Sequence, residues 1–381
     1  MTTHRRALAA ALLAAVLGLC AAPAAARPPL EIGVQDDGTF AGLPGNGPVP
    51  KRVRAGYRAA HAIHARVQKV NMLWKWVARN GPGRERFDWS FYDPVIAAAV
   101  GHGLEPQVTL TGPGPAWATG DGKVGVFRPD PGAFARFARA AVVHYRDRVH
   151  RWAIWNEPNW PSWLAPTHAA PRLYRRLYRA GWSAIKGADP DALVLFGELA
   201  PMGRPEAAIP ALRFLRAVTC RDRELEPTRP CAPLLTDGFA HHPYTLRWPP
   251  GYKGPNRDDV TLGSLGRLRH VLRGLAHVHA LETPAGAAPE LYLTEFGYHA
   301  NSRTIREPLR SRYSVQAFEM AAREPRVRQL LWYQLLGPPH RGTRRRWDTG
   351  LMSPNGHPRP ILAALREWTD AAARSGRIVG P

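Results

Sequence analysis

Cysteine is scarce in this sequence, which contains only Cys20, Cys220 and Cys231. It has no CxxC pair and no HExxH motif, and its acidic residues do not follow the spacing of a calcium-binding loop. These absences argue against a structural zinc site, a zincin-like metal centre and a calcium loop. We therefore expect neither a metal ion nor an organic cofactor.

Long apolar runs are confined to the N-terminus. Arg5 and Arg6 precede an Ala/Leu-rich run that ends in the small residues Ala24, Ala25 and Ala26, which is the layout of a secretory signal peptide. We expect residues 1–26 to be removed after export, leaving 27–381 as a single secreted catalytic domain without stable membrane insertion. A membrane anchor is the less favoured alternative. The arginine pair leaves general and twin-arginine export both open.

Removal of this peptide leaves Cys220 and Cys231, separated by the loop-like segment RDRELEPTRP. In an oxidising compartment a lone pair of cysteines more often forms a disulfide than a metal site or a nucleophile. We predict a disulfide that closes this loop.

Acidic residues are also few: 30, against 52 lysines and arginines, for a net charge of +22. The arginines are scattered along candidate helices beside acids, whereas a nucleic-acid-binding module gathers them on one face. We expect no nucleic-acid partner and a monomer with a solvated basic surface. The alternative is electrostatic association with an anionic cell wall or an acidic glycan.

The rest of the chain alternates between apolar, strand-like runs and helical patterns with apolar residues at i, i+3 and i+4. The candidate strands are 30–34, 66–73, 105–111, 151–155, 192–197, 238–241, 290–294 and 330–335. The candidate helices are 92–100, 133–145, 171–186, 207–218, 262–280, 310–322 and 360–373. This alternation predicts an α/β protein, a single-domain (β/α)₈ TIM barrel. An open doubly wound sheet is disfavoured, since no Gly-rich phosphate loop begins a helix.

Two glutamates stand at the ends of candidate strands. Glu157 ends the fourth, in WAIWNEPNW, and Glu295 ends the seventh, in LYLTEFGYHA. In such a barrel both side chains face one mouth, where two carboxylates can hydrolyse a glycosidic bond. The aromatic surroundings of Glu157 should raise its pKa and keep it protonated as a general acid. Taken alone, Glu157 could equally cap a helix or pair with an arginine.

These motifs carry a family resemblance. WNEP on the fourth strand, HPY after the sixth, TEFG on the seventh and LWYQ on the eighth resemble the clan of retaining (β/α)₈ glycoside hydrolases with catalytic glutamates on strands four and seven. The flanking sequence looks most like bacterial family 5 cellulases and family 39 β-xylosidase-like enzymes. The likeness extends from about Val34 to Trp368.

The resemblance implies a role for individual residues. Glu157 would be the acid/base and Glu295 the nucleophile, and Asn156 would hydrogen-bond the substrate 2-hydroxyl. Other substrate-binding residues would be Tyr244, whose hydroxyl reaches the nucleophile, Trp332, which floors the subsite, and Trp74, which forms another wall. Many relatives have an arginine on strand two, whereas the counterpart here, counted back from Trp74, is Lys69, which keeps the charge but loses the bidentate fork.

Other candidate site residues lie outside these motifs. His241 and His242 are adjacent on a strand and should point to opposite faces, so that the barrel-facing one binds substrate or a catalytic carboxylate. Glu198 at the end of the fifth strand is interpreted as a subsite or structural residue. Asp36 and Asp37 either contact a distal sugar or begin a turn, and the turn is favoured. Several tryptophans after strands fit a sugar ligand: Trp74, Trp76, Trp117, Trp160, Trp163, Trp248, Trp332 and Trp347.

The sequence therefore predicts an exported retaining glycoside hydrolase that acts on a β-linked saccharide. A transglycosylase with the same two glutamates remains open, because no residue separates it from a hydrolase. A sugar- or wall-binding barrel without activity is disfavoured, since Glu157, Glu295 and Asn156 are all present.

Overall fold

The computed structural model describes residues 28–42, 48–81, 86–204, 207–339 and 347–380. The predicted signal peptide lies outside these ranges. In the described part of the chain, no helix is long and apolar enough to cross a membrane.

Eight parallel strands close into a barrel in which each pairs with its neighbours in chain order and the first pairs with the eighth. They are β1 Glu31–Gln35, β2 Val67–Leu73, β3 Glu105–Thr111, β4 Arg151–Ile154, β5 Leu193–Leu199, β6 Gly238–His241, β7 Leu291–Phe296 and β8 Val327–Tyr333. The strands are almost wholly buried, because helices cover the outside and side chains fill the inside. The predicted single-domain (β/α)₈ barrel is confirmed.

A helix follows every strand on the outside of the barrel. These eight helices are Pro50–Ala62, Asp93–Gly101, Pro131–Tyr145, Ala170–Ala188, Ala211–Val218, Leu265–His277, Leu309–Arg323 and Pro360–Arg374. Two four-residue helices, Asp37–Phe40 and Trp74–Val77, directly follow β1 and β2. The helix Pro50–Ala62 is absent from the sequence-based prediction, and the other seven lie close to their predicted bounds.

The inside of the barrel changes character along its axis. At the N-terminal end Arg151 pairs with Glu31 and with Glu105, the latter at 2.8 Å. Small apolar residues fill the middle, where Ala153 and Ala240 pack with Leu195. The C-terminal end is left for the polar side chains of the candidate site.

Outside the barrel, Cys220 and Cys231 form a disulfide with their Cα atoms 6.2 Å apart, as predicted. The bond closes a loop after the helix Ala211–Val218. The short parallel strands Leu234–Leu235 and Leu281–Glu282 pair nearby.

Candidate active site

The chain turns sharply where β4 ends. Trp155 and Glu157 have positive φ angles of 69° and 38°, a region that is costly for residues other than glycine and is frequent at functional sites. The Trp155 N–H donates to the carbonyl of Leu110 (2.9 Å), and the Glu157 N–H donates to the carbonyl of Glu198 (3.0 Å). These bonds to the neighbouring strands hold Asn156 and Glu157 at the C-terminal mouth of the barrel.

Glu295 reaches the same mouth from β7 and is 8% exposed. The Tyr244 hydroxyl donates a hydrogen bond to its Oε2 at 3.2 Å. On the other side, Lys69 Nζ donates to its Oε1 at 3.3 Å. Glu295 therefore lies between one hydroxyl donor and one buried ammonium group, which fix the position of its two side-chain oxygens.

His242 connects the two catalytic candidates. One side-chain oxygen of Glu157, one of Glu295 and one ring nitrogen of His242 all lie within 4.8 Å of one another. His242 Nδ1 is 3.0 Å from Glu157 Oε1, and its Nε2 is 3.4 Å from Lys69 Nζ. Because an ammonium group can only donate, Nε2 must accept, so the ring proton sits on Nδ1 and is donated to Glu157.

The pKa of this histidine agrees with that tautomer. Burial, the charge of Lys69 and the neighbouring His241 hold the pKa of His242 well below its ordinary value, so the ring is neutral. His241 is also buried, but its Nε2 contacts the carbonyl of Val260 at 2.8 Å, away from the two glutamates. The prediction that the two rings point to opposite faces is confirmed.

Glu157 is the carboxyl group of the pair that holds a proton. Burial and the negative charge of Glu295 raise its pKa to about 8, although Lys69 opposes the shift. Its side chain keeps 19% of its surface exposed, so a ligand in the mouth can reach the proton. The direction of this shift, with burial as its main cause, is the one that the sequence predicts.

Lys69 also forms an ion pair with a second carboxylate, that of Glu198. No sequence motif connects these two residues. Its Nζ lies 2.8 Å from Glu198 Oε2, and both side chains are completely buried. Although burial lowers the pKa of Lys69, the charges of Glu198 and Glu295 outweigh it and raise the pKa. Thr109 donates to the other oxygen of Glu198 at 3.1 Å, so this carboxylate is a structural partner of Lys69. The same ammonium group also donates to Asn156 Oδ1 at 3.5 Å.

A cavity of about 280 Å³, named here the catalytic cavity, opens above these groups. It is lined by Asn71, Asn156, Glu157, Trp160, Trp163, Ala200, Pro201, Met202, Arg204, Tyr244, Leu246, Glu295, Tyr333 and Trp347. Two glutamates thus face a space walled by five aromatic rings. This combination of convergent polar groups and flat apolar walls suits a small sugar ligand.

No protein-family model matches this sequence, and no curated protein matches it either. Solved structures, however, match the fold of this chain. The chain has the fold of solved glycoside hydrolases. A family 39 glycoside hydrolase from Bacteroides cellulosilyticus WH2 superposes with a TM-score of 0.63 and 16% identity, over 90% of this chain and 64% of that chain. This chain therefore spans less than two thirds of that neighbour's length.

Two other neighbours are similar to the same extent. A GH39 β-xylosidase from Caulobacter crescentus gives a TM-score of 0.59 at 20% identity, covering 90% of this chain and 70% of that chain. A GH5_18 structure from Streptomyces cattleya in complex with GlcNAc gives 0.60 at 18% identity, covering 93% and 82%. At these identities the likeness shows a shared fold.

Two tryptophans that the resemblance assigns to the sugar site lie elsewhere. Trp332 is fully buried outside the barrel, where it packs against Phe318 of the helix Leu309–Arg323. Trp74 is also fully buried, and its ring lies parallel to that of Phe137 with centroids 5.8 Å apart. Both belong to the core between barrel and helices. The aromatic residue of β8 that reaches the catalytic cavity is the next one, Tyr333.

Asn71 is a cavity residue that sequence reasoning missed, although its position near the end of β2 was the available signal. Its side chain is 6% exposed, and its Oδ1 has no hydrogen-bond partner among the described residues. The backbone there is fixed, since the Asn71 N–H donates to Asp37 Oδ1 at 3.0 Å.

Asp36 caps the helix Asp37–Phe40 by accepting from the Thr39 N–H. This confirms the interpretation of Asp36 and Asp37 as the beginning of a turn.

The glutamates and His242 are also close enough to offer ligands to one metal ion. However, Lys69 Nζ is 3.3 Å from Glu295 and 3.4 Å from His242. Its positive charge would repel a divalent cation from this position, and it already balances the carboxylates. The arrangement fits acid/base and nucleophilic chemistry better than metal binding.

Proposed function

We propose that this protein is an exported retaining glycoside hydrolase that cleaves a β-linked saccharide, with Glu157 as acid/base and Glu295 as nucleophile. The observation that carries the proposal is the pair itself: two carboxyl groups with oxygens within 4.8 Å at the mouth of the barrel. Retaining enzymes have carboxyl groups about 5–5.5 Å apart, whereas inverting enzymes need about 6.5–9.5 Å to seat a water between them.

The first chemical step would form a covalent intermediate. Glu157, protonated because of its raised pKa, would give its proton to the glycosidic oxygen as the bond to the anomeric carbon breaks. Glu295 would attack that carbon with one carboxylate oxygen, and the leaving sugar would depart as a neutral alcohol. Tyr244 and Lys69 hold Glu295 in place for this attack.

The second step would reverse the role of Glu157. Now ionised, it would remove a proton from a water molecule, whose oxygen attacks the anomeric carbon and displaces Glu295. The neutral His242, donating from Nδ1 to Glu157, would keep the carboxyl group oriented in both protonation states. The second displacement restores the original anomeric configuration.

Polar groups around the cavity would hold the sugar ring during these steps. Asn156 would bond the 2-hydroxyl, as the resemblance implies, and Asn71 Oδ1 is a buried acceptor that a second sugar hydroxyl can satisfy. Trp160, Trp163 and Trp347 would contact the sugar faces. Trp332 and Trp74 have no place in this binding scheme.

The glycosidase proposal is tested by a screen of aryl glycosides and plain polysaccharides. The wild-type protein should hydrolyse at least one β-linked substrate, and Glu295→Gln should lose about 10⁴-fold or more of that activity, because no other carboxylate can attack the anomeric carbon. Lys123→Met, at an exposed loop position, serves as a purification-matched control. Equal activity in the wild-type and Glu295→Gln proteins would reject Glu295 as the nucleophile.

A further inference from the structure

A second cavity, of about 570 Å³, is lined by residues of the segments that follow β3 and β4, which leave the barrel at the same end as the catalytic cavity. It is named here the arginine cavity and is lined by Trp117, Ala118, Thr119, Gly120, Arg128, Pro129, Asp130, Pro131, His168, Ala169, Arg172, Leu173 and Arg176. Its walls come from the loop after β3 and from the beginning of the helix Ala170–Ala188. Its volume is within the usual range of ligand-binding pockets.

The charge of this cavity is strongly one-sided. Three arginines line it, against one acid, Asp130, which is engaged by the N–H of Ala133 at 2.6 Å as a helix cap. Within the described ranges, none of the three arginines forms an ion pair with an acidic side chain. The cavity therefore presents unneutralised guanidinium groups, which suit planar oxyanions such as carboxylate and sulfate.

All three arginines are exposed, and among the described residues no packing contact requires a basic side chain at these positions. Arg172 and Arg176 are one helical turn apart, a spacing at which like charges disfavour the helix. On the facing loop, Arg128 has a φ of 44°, which is costly for a residue with a side chain. By contrast Arg175, on the other side of the same helix, is buried and donates to the carbonyl of Val218 at 3.0 Å. Arg175 is explained by packing, and the arginines of the cavity are not.

One loop connects the two cavities. Trp160 and Trp163 of the segment after β4 line the catalytic cavity, and His168 and Ala169 of the same segment line the arginine cavity. The segment is fixed at its middle, because the Arg128 N–H donates to the carbonyl of Ala165 at 2.8 Å. A chain-like ligand that leaves the catalytic cavity over this loop would reach the arginines.

Aromatic rings beside cations point to a sugar rather than to a small inorganic anion. Trp117 is a partly exposed indole in the wall of the arginine cavity, and its Nε1 is held by the carbonyl of Ala78 at 3.2 Å. In the catalytic cavity the guanidinium of Arg204 lies 5.2 Å from the centre of the Trp160 ring. Indole rings bind sugar faces, and guanidinium groups bind acid substituents.

From these observations we infer that the arginine cavity is a distal subsite for an acidic sugar of the polysaccharide that the catalytic cavity cleaves. The ligand would carry carboxylate groups, as a uronic acid does, or sulfate groups. This inference rests on the proposed glycosidase function for the identity of the ligand as a glycan, but its binding step needs no catalysis.

The test measures binding to the Glu295→Gln protein, in which bound saccharide should not be turned over. Titration calorimetry would compare three β-linked ligands of the same length: oligomannuronate, which carries carboxylates, a sulfated oligosaccharide and an uncharged xylo-oligosaccharide. Arg172→Gln with Arg176→Gln should weaken binding of an acidic oligosaccharide about tenfold and leave that of the neutral one unchanged. The matched control, Arg213→Gln with Arg273→Gln, removes the same charge from exposed positions of two other helices and should change the affinity less than twofold.

The outcomes separate the possible sources of binding. A loss for oligomannuronate alone assigns the site to carboxylates, and a loss for the sulfated oligosaccharide alone assigns it to sulfate. The inference is overturned if both pairs of substitutions weaken binding equally, if neither acidic oligosaccharide binds, or if a single-stranded oligonucleotide of equal charge binds as tightly. Failure of the glycosidase proposal would appear separately, as an absence of hydrolysis by the wild-type protein.

Discussion

At the scale of single residues, one buried ammonium group balances the charge of the candidate site. Lys69 is 1% exposed and lies within 3.3 Å of two carboxylates, those of Glu198 and Glu295. The resemblance suggests an arginine at this position, which would make two hydrogen bonds to one carboxylate. A lysine instead acts as a point charge, and here its three donors are shared among several acceptors. Glu198 is the second carboxylate that the ammonium group of Lys69 contacts, at 2.8 Å.

Removal of Lys69 should therefore destabilise the protein. Lys69→Met leaves Glu198 and Glu295 buried without a cation, and we expect a loss of about 3–5 kcal/mol in the free energy of unfolding. Adding Glu198→Gln should recover part of the stability but not the activity, since Glu295 still lacks its partner. Denaturant unfolding of the single and double variants measures both effects. Equal stability of the wild-type and Lys69→Met proteins would contradict the role given to Lys69.

The raised pKa of Glu157 predicts the pH dependence of activity. The group donates a proton in the first step, so kcat/KM should be maintained below about pH 8 and fall above it. Glu157→Gln should abolish this decline for substrates whose leaving group needs no proton. A decline that begins near pH 4.5, the ordinary value for the group, would contradict the assignment.

The raised pKa of Glu157 also makes the stability of the folded protein depend on pH. Because the pKa is higher in the folded protein than in the unfolded chain, the contribution of Glu157 to stability is complete below about pH 4.5 and is lost as the pH rises to about 8. Glu157→Gln should therefore unfold at a higher temperature than the wild-type protein at pH 8, with a smaller difference at pH 4.5. Thermal unfolding at the two pH values provides the measurement. A constant difference would show that Glu157 does not titrate in this range.

At the scale of strands and helices, the sequence located every barrel strand to within a few residues. Continuous apolar runs bounded by turn residues are a strong signal for strands that are buried on both sides. For the same reason the runs do not show which side chains face inward, because the period-two alternation of a half-buried strand is missing. Trp332 and Tyr333 on β8 were therefore indistinguishable, and the choice of Trp332 was incorrect.

Two features could not be predicted from the sequence: the ion pair of Lys69 with Glu198 and the helix Pro50–Ala62. Glu198 was recognised as a strand-end carboxylate, but its partner Lys69 is far away in the sequence and meets it only when the barrel closes. The helix Pro50–Ala62 was missed, and it has no side-chain hydrogen bond at its N-terminus, so a capping signal was lacking. By contrast, Glu157, Glu295 and Asn156 lie in short motifs with a specific chemical meaning, and the structure brings all three to the catalytic cavity.

The disulfide is the covalent link that can be tested at this scale. Closure of a loop of about twelve residues by Cys220 and Cys231 should contribute about 3 kcal/mol in the chain-entropy model. Cys220→Ser with Cys231→Ser should lower the unfolding free energy by about that amount, and a reductant should affect only the wild-type protein. Detection of two free thiols in the secreted protein by mass spectrometry would contradict the bond.

At the scale of the whole molecule, the net charge is consistent either with a solvated basic surface or with electrostatic association with an anionic cell wall, and salt dependence distinguishes the two. Without residues 1–26 the chain would keep a net charge of +20, from 50 basic and 30 acidic residues. We expect association with anionic cell-wall material to weaken steeply with salt, because electrostatic interactions are screened beyond about 8 Å at physiological ionic strength. A sedimentation assay at low and high salt measures this, and an association that is independent of salt would contradict it.

The most direct measurement of the proposed chemistry is the anomeric configuration of the first product released from a β-linked substrate. Proton NMR spectra recorded within minutes of adding enzyme distinguish the two anomers before they interconvert. One side-chain oxygen of Glu157 and one of Glu295 lie within 4.8 Å of each other, whereas an inverting enzyme needs about 6.5–9.5 Å between its carboxyl groups to seat a water. This short spacing is the reason for proposing a double displacement. We predict that the β anomer appears first, with retained configuration. Initial appearance of the α anomer would contradict the double displacement and the assignment of Glu295 as nucleophile.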